Sequence, residues 1–185
     1  LCCGIDIEDS KTINDKYLSE KKIVFPITYL KKFNAEQRLP LHISEILDKL
    51  VERYDINGVV IATDPLAHKC YAEWALEKGL NILMDKPITT RPNAVSDMKQ
   101  AKGIYQDYVH LLNNYVKQQK KSETIFSINV QRRYESGFHK VFSLISEVSE
   151  KFNIPVTSIQ AMHSDGVWIF PDEIVDQSCH GYFRG

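Results

Sequence analysis

The stretch Gly58-Val59-Val60-Ile61-Ala62-Thr63-Asp64-Pro65-Leu66-Ala67-His68, read with Asn81-Ile82-Leu83-Met84-Asp85-Lys86-Pro87 downstream, decides the fold. Val59 to Ala62 is a short, continuous apolar run of the kind found in strands buried on both faces of a parallel sheet, and it ends in polar Thr63-Asp64. Asp64 suits a helix N-cap, and Pro65 suits the first helical position, where a missing N–H costs nothing. From Ala67 to Lys78 the apolar residues, Tyr71, Trp74 and Ala75 among them, recur at helical spacing, and Gly79 supplies a left-handed stop. A second apolar run, Ile82-Leu83-Met84, follows at once. Strand, crossover helix and strand make a βαβ unit, whose ligands bind beyond the carboxyl ends of the strands. Thr63-Asp64 and Asp85-Lys86 therefore face one crevice.

Ala62-Thr63, His68 and Asp85-Lys86-Pro87 together resemble the glucose–fructose oxidoreductase / inositol dehydrogenase / rhizopine catabolism (Gfo/Idh/MocA) superfamily. Its members carry Ala-Thr-Pro-x-x-x-His followed by Glu-Lys-Pro. Here Asp64 stands between the threonine and the proline, and Asp85 replaces the glutamate. The resemblance implies an α/β chain with a doubly wound, Rossmann-like parallel sheet over residues 1–134, incomplete at its N-terminus. Residues 135–185 would begin an α+β second domain for substrate and oligomerisation.

Outward from the centre, the chain opens on Leu1-Cys2-Cys3-Gly4-Ile5-Asp6, an apolar run ending in a carboxylate. A dinucleotide-binding unit needs a glycine-rich turn after its first strand and an acidic residue about 20 positions later to hold the adenosine ribose. Asp6 occupies the place of that acidic residue, yet the eight glycines include no Gly-x-Gly, so the turn is expected upstream of residue 1. As a plainer alternative, Asp6 caps the turn that follows its strand. Ser10 to Glu20 reads as a weak helix. Ile23 to Thr28 has strand chemistry, but Pro26 demotes it to an edge or a loop, and the region to Leu39 reads as an insertion. Leu41-His42-Ile43 reads as a short strand, with Ser44 the N-cap of a helix over 45–54.

Beyond Pro87, a helix is expected from about Arg91 to Gln119, a strand over 124–130, a helix over 136–152 and a half-buried strand over 156–163. In the resemblance, Arg132 and Tyr134 lie close to nicotinamide and substrate; alternatively they are a surface pair packed over the domain junction. His163 ends a strand facing the proposed cleft, whereas His110, His139 and His180 read as packed or solvated.

Composition narrows the function. A net charge of −1 provides no basic excess to displace counterions from phosphates, which argues against a nucleic-acid partner. No apolar run approaches the about 18 residues of a membrane span. Four cysteines without Cys-x-x-Cys pairing suit reduced thiols in a cytoplasm, and no metal-ligand spacing is present.

Hydride transfer at nicotinamide leaves an alcohol proton to move, and a lysine desolvated beside the cofactor can carry it. The resemblance makes Lys86 that catalytic group, touching both cofactor and substrate, with its bond to Pro87 often cis in relatives. Asp6, Thr63, Asp64, Pro65, His68, Asp85 and Arg132 would line the cofactor, and Tyr134 and His163 the substrate; in the first turn of its helix, the His68 imidazole can alternatively hydrogen-bond the turn. By the same resemblance the cofactor would be NAD or NADP, with NAD favoured because a carboxylate at Asp6 would bond the ribose 2′-hydroxyl and repel a 2′-phosphate. The substrate would be a sugar, polyol or related hydroxy compound, and relatives pair as homo-oligomers through the second-domain sheet. A cofactor- or sugar-binding regulator without turnover is the competing reading, and an assembly subunit a third, since fold does not dictate function.

Overall fold

The computed structural model describes residues 1–34, 38–130, 135–158 and 160. Five strands and five helices alternate over them: β1 (Gly4–Ile7), α1 (Lys11–Lys21), β2 (Ile27–Leu30), α2 (Leu41–Tyr54), β3 (Gly58–Ile61), α3 (Pro65–Glu77), β4 (Asn81–Asp85), α4 (Met98–Gln119), β5 (Phe126–Asn129) and α5 (Ser136–Phe152). Every strand pairing is parallel: β1 with β2, and β3-β4-β5 with β4 in the middle. Val60 stands opposite Leu83, and Met84 opposite Ile128. The Rossmann-like parallel architecture expected from the sequence is present.

Pleating decides what the central sheet buries, because alternate residues point to opposite faces. Val59, Ile61, Ile82, Met84, Phe126 and Ile128 share one face and enter the core, where they meet Ala72, Ala75 and Leu76 of α3 and Leu111 of α4. The side-chain methyls of Ala72 and Ala75, both fully buried, allow α3 a close approach to the strands. Ile43 and Leu47 of α2 and Leu30 of β2 complete the core. Cys70 is buried with them, and burial above all pushes its thiol up to about 11, which leaves it protonated and inert. The opposite face is uncovered among the described residues: Val60 is 55% exposed and Leu83 46%. The expectation that β3 is buried on both faces is thus corrected; only its alternate residues are covered.

Other boundaries differ from the sequence reading for local reasons. The supposed insertion contributes β2, because Pro26 stands just before the first strand residue and only its carbonyl is needed, accepting from the Gly4 N–H at 2.9 Å. Leu41-His42-Ile43 is no strand but the first turn of α2, entered from Pro40. Ser44 is not its cap; its hydroxyl donates to the Leu41 carbonyl within the helix. Helix α4 starts at Met98 rather than near Arg91, since Asp97 caps it by accepting from the Lys99 N–H at 2.7 Å. Of the strand expected over 156–163, residues 156–158 and 160 are irregular, and the remainder lies outside the described residues. A strand needs a partner, and Val156 is 52% exposed. Helix α5 has the predicted bounds and buries no residue; Phe142 on it is 69% exposed. Among the described residues, no helix is long and apolar enough to cross a membrane.

Candidate functional site

Parallel pairing brings the carboxyl ends of β3, β4 and β5 to one side, so Thr63-Asp64, Asp85-Lys86 and Asn129 lie along a single edge. Each turn there is fixed by its own side chains. The Asp64 carboxylate accepts from the Leu66 N–H at 2.9 Å and caps α3, and Pro65 takes the first helical position, both as the sequence predicts. The Thr63 hydroxyl donates to the Asp64 carbonyl at 3.2 Å. After β4, the Asp85 carboxylate accepts from the Lys86 N–H at 2.9 Å, and the Lys86–Pro87 bond is cis, as in the relatives that the resemblance points to. Lys86 is exposed and Asp85 half-buried.

His68 joins these two turns. Its ring is 1% exposed, with Nδ1 2.6 Å from the Pro87 carbonyl oxygen and Nε2 3.1 Å from that of Thr63. Both neighbours are acceptors, so a neutral imidazole, with a single N–H, satisfies one of them at a time and a protonated ring satisfies both. The imidazole hydrogen-bonds the chain's own turns, which is one of the two roles that its place in the first turn of α3 allows, beside an approach to the cofactor. It reaches the edge by tying the turn after β3 to the turn after β4.

Asp6 lies at the corresponding end of β1 and is half-buried. One carboxylate oxygen accepts from the Ile7 N–H at 2.7 Å and the other from the Asn14 side-chain amide at 2.8 Å. Its field extends to α3: the Tyr71 hydroxyl is pushed up to about 12, first by burial and then by the neighbouring Cys70 and Asp6. Arg132, Tyr134 and His163 lie outside the described residues.

Two groupings escaped the sequence reading. Asn14 is one; the other is Arg91, whose guanidinium grips Asp107 on α4 through Nε at 2.6 Å and a terminal nitrogen at 2.9 Å. The Asp107 hydrogen bonds are the main cause that raises the Arg91 pKa further. Lys69 bridges Glu73 at 3.1 Å and Asp107 at 3.8 Å, and a cavity of about 220 Å³ lies between Thr90, Arg91, Gln100 and Lys69. The one available signal was Gly103, a glycine inside a helix, over which Arg91 passes. Among the described residues, no three His, Cys, Asp or Glu side chains are grouped to hold a metal.

Residues 27–112 match the Gfo/Idh/MocA family model, an oxidoreductase family with an NAD-binding Rossmann fold. Over that stretch, somewhat less than half of its length, the chain is similar to this family. The matched residues run from β2 into α4 and include Thr63, Asp64, His68, Asp85 and Lys86; Asp6, Asn14 and β5 lie outside them. No curated protein matches the chain. A member of this family is an NAD-binding oxidoreductase in general terms, and the strand-end edge just described is where such a fold receives its ligand.

Proposed function

We propose that the protein is an NAD(P)-dependent oxidoreductase acting between nicotinamide and a sugar, polyol or related hydroxy compound, with Lys86 as its proton-transfer group. The observation that carries this reading is Lys86 at the carboxyl end of the middle strand, on a turn that His68 ties to the Thr63-Asp64 turn. The residues present suit a dinucleotide: Asp6 offers a fixed carboxylate at one strand end for a ribose, and Thr63 and Asp64 line the next. Bound nicotinamide would supply the hydride acceptor or donor. Lys86 Nζ, on an exposed side chain at the site edge, would take the hydroxyl proton from the substrate and return it in the reverse direction. Asp85 orients the turn by accepting from the Lys86 N–H, and the Asp6 carboxylate favours NAD over NADP. Residues 135–185 are proposed as the beginning of a second, substrate-bearing and oligomerising domain, a reading supported by the apolar, wholly unburied face of α5. Arg132 is a further proposed contact of the cofactor, and Tyr134 and His163 are proposed contacts of the substrate. The free Cys2, Cys3 and Cys70 support a reducing, cytoplasmic setting.

The test is Lys86→Ala in the full-length protein, with turnover measured on a panel of sugars and polyols and NAD affinity by calorimetry. Turnover should fall by a factor of about 10² to 10⁴ with affinity for NAD nearly unchanged, and Lys86→Arg should not rescue it because guanidinium cannot accept the proton. Parent-rate turnover by Lys86→Ala would refute the role and favour a regulator that binds without reacting.

A further inference from the structure

We propose that Asn14 is a positioning residue for cofactor choice: by holding one oxygen of Asp6, it fixes the carboxylate that receives the vicinal diol of the adenosine ribose. The inference rests on the proposed NAD-binding role of Asp6.

A carboxylate has two oxygens with about four acceptor positions. At Asp6 one position on each oxygen is already filled, by the Ile7 N–H at 2.7 Å and by the Asn14 amide at 2.8 Å. The Ile7 contact comes from the adjacent residue and moves with the strand. The Asn14 contact comes from α1, eight residues away in sequence, and it alone ties the free end of the side chain to a second element. With both in place, each carboxylate oxygen is held by its own donor, which restrains rotation about the last bond and leaves about one acceptor position free on each oxygen. Such a fork matches two neighbouring hydroxyls. It also keeps full negative charge where a 2′-phosphate would lie, so the restraint that helps NAD hinders NADP.

Helix α1 has no buried residue, and Asn14 itself is only half-buried, which leaves little packing reason for an amide at this place. Removing the amide frees the carboxylate to swing. The gain with a diol and the repulsion of a phosphate then weaken together.

The experiment measures Kd for NAD and for NADP by calorimetry on the full-length parent and on Asn14→Leu, Asn14→Ala and Asp6→Asn, with thermal melting to establish that each variant is folded. Asn14→Leu keeps the side-chain volume without the donor; Asn14→Ala is the second variant should leucine disturb α1. The lost bond lies within the protein and reaches NAD only through the freedom of the carboxylate, so the expected scale is that of one ordinary net hydrogen bond, about threefold to tenfold weaker NAD binding with no matching loss for NADP, and the preference ratio falls. Asp6→Asn should abolish the preference. If Asp6→Asn loses it while both Asn14 variants retain the parent ratio, the positioning role is overturned and the ribose reading stands. If Asp6→Asn binds both cofactors as the parent does, the ribose reading itself fails.

Discussion

Replacing His68 by alanine tests whether the two turns of the site depend on one side chain. The ring is 1% exposed and lies within hydrogen-bonding distance of two backbone carbonyls, Pro87 at 2.6 Å and Thr63 at 3.1 Å. Its removal leaves a part-buried carbonyl without its donor, a loss of about 1–3 kcal/mol, and opens a cavity worth roughly 2 kcal/mol more. The sum is about 3–5 kcal/mol, at the upper end for a single substitution. Urea unfolding followed by circular dichroism should show an earlier midpoint with an unchanged slope. His68→Leu, which refills the cavity but donates nothing, should recover the cavity part alone and remain about 1–3 kcal/mol below the parent. Because a misplacement of about 1 Å at a reacting centre can cost on the order of 100-fold in rate, turnover of the leucine variant should fall further than its NAD affinity. An alanine variant within about 0.5 kcal/mol of the parent, turning over at the parent rate, would refute the idea that His68 fastens the site.

Two further perturbations test the packing behind it. Asp48 accepts from Trp74 Nε1 at 2.9 Å and from Lys78 Nζ at 2.6 Å; burial acts to raise its pKa, but these bonds and the Lys78 charge outweigh it and hold the carboxyl below its usual value. A depressed native pKa stabilises the fold above the unfolded value of about 3.9 and the effect is lost as pH falls through the native value. Asp48→Asn should therefore narrow its stability gap to the parent below about pH 4, and a gap that stays constant down to pH 2 would count against the linkage. Gly103→Ala would place a methyl on the Arg91 guanidinium, so Arg91 should swing away from Asp107. The partly exposed pair is worth about 1 kcal/mol and alanine returns about 1 kcal/mol of helix preference, so denaturant titration should show little net change; a loss above about 2 kcal/mol would show that the pair contributes more than its exposure implies.

The sequence made the site's frame readable where chemistry was local. Asp64 before Pro65 announced the start of α3 because cap and first-turn proline act within three residues, and the apolar runs at 59–61 and 82–84 announced adjacent strands. Where partners lie far apart in sequence, the reading failed. Pro26 masked β2 because a proline is a breaker only relative to a ladder, and its place just ahead of Ile27 becomes visible only once β1 is paired. Leu41-His42-Ile43 carries apolar residues at positions that fit either period, and the helix won because Ile43 and Leu47 reach the core together. The grip of Arg91 on Asp107 and that of Asn14 on Asp6 have no periodic signature at all; each is a meeting of two elements, set by tertiary packing.

The order of the strands also bears on how the chain folds. β3, β4 and β5 are consecutive in sequence and neighbours in space, each joined to the next through a single helix, and β1 and β2 repeat the arrangement on their own. Loop closure is therefore short at every step, so pairing can proceed in the direction of synthesis without waiting for distant segments. The first helix to land also proofreads the register: a slip of one residue in β4 would turn Ile82 and Met84 away from α3 and present Leu83 instead, so only the native alignment places both buried side chains beneath Ala72 and Ala75.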